Sequence, residues 1–211
     1  MGSMRTTSGR TKRVESGCVS HGELATLIGM VSRLDPMKGH EVFLKAAQRL
    51  AELDPNLRFV CVGPDPYRRR TELEELTQRF GLANRLYWRG PESRMREVYA
   101  ALDILCHPSI FGEGFSNVVA EAMLCEVPCA ATDVGHSAEL IRGVGALVLP
   151  GNAEALAETL EVLLRRSEHD SVLAGRLGRE RITKAFPVET LVTQTEGILS
   201  TLNRADSRAL A

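Results

Sequence analysis

The run Leu24-Ala-Thr-Leu-Ile-Gly-Met-Val31, followed at once by Ser32-Arg-Leu-Asp-Pro-Met-Lys-Gly39, decides the architecture. Its first part is of strand length and largely apolar without strict alternation, as expected of a strand covered on both faces of a parallel sheet. Behind Gly39, the residues Val42, Phe43, Ala46, Ala47, Leu50 and Leu53 fall on one stripe of a helix. Strand, short loop and helix form one unit, and the chain repeats it.

Five more strand-length runs follow, at Leu57–Val62, Arg85–Trp88, Asp103–His107, Val127–Ala131 and Ala146–Leu149. Between them, Leu73, Leu76 and Phe80 make a second helical stripe that stops at Gly81. Val98, Ala101 and Leu102 mark a short third helix, and Phe115 to Leu124 a fourth. After Pro150 the pattern is purely helical, over Ala153–Arg166, Glu168–Phe186 and Val188–Asn203. Six strands interleaved with helices on short connections predict an α/β fold: a Rossmann-like, doubly wound parallel sheet with helices on both faces and a helical C-terminus.

Composition narrows the function classes. The chain has 211 residues, 44% hydrophobic and 25% charged, which is ordinary for a globular domain. Lys plus Arg total 26 and Asp plus Glu 27, so the net charge of −1 offers no global field for nucleic acid or an anionic membrane. No run approaches the roughly 18 apolar residues of a membrane-spanning helix. Met1 to Gly22 lacks the apolar block of a secretory signal, and the expected location is the cytoplasm. Of five cysteines, Cys61, Cys106 and Cys129 sit in apolar runs as small buried hydrophobes. The odd count suits a reducing compartment, and Cys125-x-x-x-Cys129 has no second pair to complete a zinc site. No metal site is expected.

Residues 1–23 are expected to be a disordered tail. Met1-Gly-Ser3 ahead of Met4 resembles tag residues, although Met1-Gly-x-x-x-Thr6 formally matches a myristoylation signal. Residues 24–203 are expected to form one domain, followed by a C-terminal tail at 204–211.

In such a sheet, ligands bind outside the carboxyl ends of the strands, where helix N-termini point. The loop after the first strand delivers Arg33 and Lys38 just ahead of a helix, which suits a diphosphate. A solvated pair of loop charges would satisfy the same spacing. The loop contains neither Gly-x-x-x-x-Gly-Lys-Ser/Thr nor Gly-x-Gly-x-x-Gly. The loop after the fourth strand reads Pro108-Ser-Ile-Phe-Gly-Glu-Gly-Phe-Ser-Asn117. Gly112 and Gly114 bracket Glu113, and the amides of Gly114, Phe115 and Ser116 are expected on the first turn of the next helix, ready to donate to an anion. Glu121 lies eight residues beyond Glu113 among apolar neighbours, where a carboxylate needs a partner such as the hydroxyls of a ligand. A surface salt bridge is the alternative. A glycosidase pair flanks one bond at roughly 5–10 Å, whereas these two carboxylates look placed to hold different ends of one extended ligand.

Gly29 to Lys38 together with Glu113-x7-Glu121 resembles the donor-binding half of retaining GT-B glycosyltransferases, especially the large family 4. Val60-Cys-Val-Gly63, Leu86-Tyr-Trp-Arg-Gly90, Ala101-Leu-Asp-Ile104, Glu121-Ala-Met123, Thr132-Asp-Val-Gly135 and Glu139-Leu-Ile141 agree, in the expected order, from about Leu24 to Leu202. The resemblance implies catalytic roles for Glu113, Arg33 and Lys38. The two cations would neutralise the leaving diphosphate and Glu113 would hold sugar hydroxyls. Gly29 and the amides of Gly114, Phe115 and Ser116 would line the donor, Glu121 would take the ribose, and Gly63, Arg89 and Gly90 would lie near the base. It implies a UDP-, GDP- or ADP-sugar as substrate, transfer of a hexosyl group with retention, and no metal or other cofactor.

GT-B enzymes have two such domains, and nothing before Leu24 supplies the other. The expectation is about half of an enzyme (an excised fragment, a truncated frame or a split subunit), inactive alone. Its partner would be an acceptor-binding N-terminal domain, in cis or in trans, with room for peripheral membrane association through the full enzyme. His136 stands where many relatives carry a second Gly. The last helix would cross to the missing domain through Leu191, Val192, Ile198, Leu199 and Leu202. Arg68-Arg-Arg70 reads as a solvated charge run, and His107 as either a pocket or a core residue. A non-catalytic split or degenerate half acting as an interaction module is the alternative function, against which the intact Glu113/Glu121 pair argues. A dinucleotide-binding oxidoreductase fits poorly without its glycine fingerprint.

Overall fold

The computed structural model describes residues 25–187 together with 190, 192, 193 and 195–199. All six apolar runs form strands: β1 (Leu27–Val31), β2 (Arg58–Val62), β3 (Leu86–Arg89), β4 (Ile104–His107), β5 (Cys129–Thr132) and β6 (Ala146–Val148). They make one sheet in the order β3-β2-β1-β4-β5-β6, and every pairing is parallel. The helices are α1 (His40–Leu53), α2 (Arg70–Arg79), α3 (Met95–Ala101), α4 (Asn117–Leu124), α5 (Ser137–Ile141), α6 (Ala153–Leu164) and α7 (Glu168–Ala185). The doubly wound, Rossmann-like α/β fold read from the sequence is the fold observed.

Successive strand side chains point to opposite faces, and here both faces are apolar. Ile28, Met30, Phe59, Cys61, Ile104 and Cys106 join one core with Phe43 and Leu50 of α1, Leu73 of α2, and Leu156 and Leu160 of α6. Val31, Val62, Leu105, Cys129 and Ala131 face the other way, onto Tyr99 of α3, Val119 and Met123 of α4, Leu140 of α5 and Ile182 of α7. Two-sided burial explains why the strands lack polar alternation. It also pushes the Cys61, Cys106 and Cys129 thiols up, and keeps them unreactive.

The differences from expectation lie at element ends. Leu53 is exposed on the last turn of α1, outside the buried stripe that holds Val42 to Leu50. Leu102 follows α3 in extended conformation, which turns the chain into β4. The fourth helix starts at Asn117 rather than Phe115, because Ser116 adopts the extended conformation of an N-cap. The amides of Gly114, Phe115 and Ser116 therefore precede the first turn. The five-residue α5 and a 3-10 turn at Pro36–Lys38 have too few residues to show a period. Of the last expected helix, positions 190, 192, 193 and 195–199 are helical, with Val192, Ile198 and Leu199 exposed. Leu191, Leu202 and both expected tails, including Cys18, lie outside the described residues. Among the described residues no helix is long and apolar enough to cross a membrane.

Candidate functional site

Strand order reverses between β1 and β4: the helix after β1 packs on one face of the sheet, the helix after β4 on the other. In sheets of this kind the ligand crevice lies outside the carboxyl ends of the strands at such a switch point. The loops that leave these two strands carry Arg33, Lys38 and Glu113.

Backbone contacts lock the crevice walls together. Asp35 caps the 3-10 turn, its Oδ1 accepting from the Met37 amide at 3.0 Å. Gly39 then turns left-handed at φ 75°, and a Cβ there would run into the Pro108 carbonyl oxygen of the opposite loop. Conformation and space both demand glycine at this position. The Ile110 amide donates to the Met37 carbonyl at 2.7 Å, and Thr132 Oγ1 at the end of β5 donates to the Ser109 carbonyl at 2.5 Å. The His136 amide donates to the Gly114 carbonyl at 3.1 Å, so the exposed His136 supports the acidic loop through its backbone.

Glu113 is the hub. Its side chain is 7% exposed and accepts hydrogen bonds from Lys38 Nζ, from Ser109 Oγ at 2.5 Å and from His107 Nε2 at 3.2 Å. Burial opposes its ionisation, but the bonds from His107, Lys38 and Ser109 outweigh it and hold the carboxyl well below the usual carboxylate range. His107 Nε2 also lies 3.1 Å from Ser116 Oγ and 3.3 Å from Ser109 Oγ. A cation and an anion from two loops, 75 residues apart in sequence, are thus joined across the crevice.

The other expected residues are placed as follows. Arg33 is half exposed on the same loop as Lys38, its Nε donating to Asp35 Oδ2 at 3.0 Å. Gly114 and Phe115 are exposed beside Glu113, and the Phe115 ring meets Phe186 edge-on at 5.1 Å. Ser116 is buried against His107. Glu121 is exposed on α4, and its partner is within the chain: Tyr99 Oη donates to Oε2 at 2.7 Å. The apolar setting suggested by its neighbours in sequence is thus not the one observed, because α4 turns the carboxylate outward to a partner within the chain. Gly63 follows β2, its amide donating to the carbonyl of Arg89, the last residue of β3, at 3.3 Å; Gly90 comes next. All three lie on the carboxyl rim. Gly29 lies in mid-strand, and its missing Cβ makes room for Leu102. Packing against Leu102 is one requirement for glycine at this position.

Three further side chains join the site without a motif to announce them. Ser109 and Tyr99 contact the two glutamates, and His40 at the start of α1 lies behind the basic loop, 3.3 Å from Ser32 Oγ and stacked on Trp88. Burial, reinforced by Arg69, lowers the His40 pKa to about 4, so it is neutral at physiological pH. The run Arg68–Arg70 is not simply solvated. Arg69 is 13% exposed and bonds Glu41 and Glu72 at 2.9 Å, while Arg70 lies over the Trp88 ring and donates to its carbonyl at 3.1 Å.

Residues 25–166 match the sequence profile of the family described as glycosyl transferases group 1. The chain belongs to that family. This glycosyl transferase domain is 32% identical over 163 residues to D-inositol 3-phosphate glycosyltransferase of Rhodococcus opacus, a match covering 73% of this chain and 36% of the relative. The enzyme of the same name from Corynebacterium efficiens is 31% identical over 204 residues, 92% of this chain and 46% of the relative. The group 1 domain therefore spans less than half the length of these curated relatives. Among solved structures, HepE of Anabaena in complex with UDP and glucose superposes at TM-score 0.77 with 28% identity, over 84% of this chain and 48% of HepE. The C-terminal domain of the group 1 glycosyl transferase LpcC from Francisella tularensis superposes at 0.68 with 26% identity, over 75% of this chain and 84% of that one.

Proposed function

We propose that the domain is the donor-binding half of a retaining, family 4 glycosyltransferase, transferring a hexosyl group from a nucleoside diphosphate sugar to an acceptor held by a second domain. The observation that carries this reading is the Lys38–Glu113 pair at the switch point of the sheet. Lys38 and Arg33 face the diphosphate, where they stabilise negative charge as the leaving group departs. Glu113 is held ionised by its donors, as a carboxylate that accepts from sugar hydroxyls must be. The amides of Gly114, Phe115 and Ser116 and the first turn of α4 offer donors to the phosphates. Glu121 takes the ribose hydroxyls, and the base lies toward Gly63, Arg89 and Gly90.

Several findings support the reading. The domain covers about half of HepE, solved in complex with UDP and glucose, and most of a C-terminal domain from the same family. The acceptor then belongs to a partner domain, in cis or in trans. The test is calorimetric titration of UDP-, GDP- and ADP-glucose into the protein and into Lys38→Ala. One nucleotide sugar should bind the parent and lose at least tenfold in affinity in the variant, the loss expected of a charge-assisted contact. Equal affinity in both proteins would overturn the site, and no binding across the panel would favour the interaction-module reading.

A further inference from the structure

We propose that Tyr99 is a positioning residue for Glu121, aiming the carboxylate at the ribose of the donor; the inference rests on the donor-site reading above. Tyr99 is 2% exposed although it meets an exposed carboxylate. It belongs to the buried cluster that also holds Val31 and Val62, the last residues of β1 and β2, and Leu102 and Leu105. Its hydroxyl donates to Glu121 Oε2 at 2.7 Å. Burial, together with the bond to Glu121, pushes the phenol pKa up, so it remains a donor at every physiological pH.

An exposed glutamate otherwise samples several rotamers, and ordering it on binding costs affinity. A carboxylate has about four acceptor sites, of which the phenol uses one. The others stay open to two neighbouring hydroxyls. The sheet thus sets the ring, the ring sets the carboxylate, and a vicinal diol meets a preordered acceptor.

The experiment compares UDP with 2′,3′-dideoxy-UDP, with the GDP and ADP pairs run alongside, on the parent, Tyr99→Phe, Glu121→Ala and the double variant. The parent should prefer the ribonucleotide. Tyr99→Phe removes one oxygen and should shrink that preference by on the order of tenfold, leaving dideoxy affinity within about twofold. In the Glu121→Ala background, Tyr99→Phe should change the preference no further, a comparison that holds even where Tyr99→Phe lowers the melting temperature. A full preference in Tyr99→Phe would overturn the inference alone. No preference in the parent would remove Glu121 from the ribose, and no nucleotide binding at all would overturn the donor-site reading beneath it.

Discussion

Replacing Lys38 by Met leaves the Glu113 carboxylate, 7% exposed, without its cation. Breaking a buried pair from one side costs about 3–5 kcal/mol, because the surviving charge stays desolvated. Lys38 itself is 15% exposed, and Glu113 keeps its bonds from Ser109 and His107. Those two facts lower the expectation to about 2–3 kcal/mol for the single variant. Glu113→Gln removes the charge but keeps an acceptor, so the double variant Lys38→Met/Glu113→Gln should recover about half of the loss, a coupling on the order of 1–2 kcal/mol. The assay is urea unfolding of the four proteins, followed by far-UV circular dichroism and by the fluorescence of Trp88, the single tryptophan of the chain. Additive single losses, within about 0.3–0.5 kcal/mol, would refute the pairing.

Other perturbations test separate parts of the account. The Glu113 carboxyl lies lower in the folded protein than in the unfolded chain, so its contribution is present above the unfolded value of about 4.3 and disappears on acidification toward the folded one. Glu113→Gln should therefore flatten the acid limb of a stability profile measured below pH 5. His40 works the other way round: lowered from 6.5 to about 4, it leaves the unfolded chain binding the proton first, and stability falls as pH drops from 6.5 toward 4. His40→Gln should remove that slope in a profile extended up to pH 7. Gly39→Ala combines a left-handed φ of 75° with a clash against the Pro108 carbonyl, and should lower thermal stability by more than about 2 kcal/mol, whereas Gly81→Ala, with open space around it, should lose only about 1. Comparable losses at the two glycines would mean that the two loops do not depend on close approach at Gly39.

The fold was legible because both faces of the sheet are covered. Residues such as Ile28 and Val31 are buried on opposite sides, and the resulting apolar runs stand out from the amphipathic stripes between them. The site loops were legible for a related reason: strand-to-helix connections carry glycines and charges where the chain needs neither core nor period. What stayed hidden depended on tertiary placement. Lys38 and Glu113 were each marked, but nothing in the sequence says that they neutralise one another. Glu121 was assigned an apolar setting from its neighbours in sequence, whereas α4 turns it outward to the Tyr99 hydroxyl. Tyr99 itself looked like an ordinary residue of a short helix. Arg69 reads as solvated because Glu41, its partner on α1, lies 28 residues earlier in the chain. The packing of Leu102 against Gly29 is likewise invisible in the sequence, because Leu102 lies 73 residues further along the chain.

The proposed donor site requires one nucleotide sugar to lie across the loops that leave β1 and β4. Backbone amide shifts, followed while UDP-, GDP- or ADP-glucose is titrated into the labelled protein, test it most directly. Saturable shifts are expected for one nucleotide in residues 32–39 and 113–121 and around Gly63 and Gly90, abolished by Arg33→Ala, an exposed substitution that leaves the core intact. Shifts confined to another surface, or unchanged in Arg33→Ala, would contradict it.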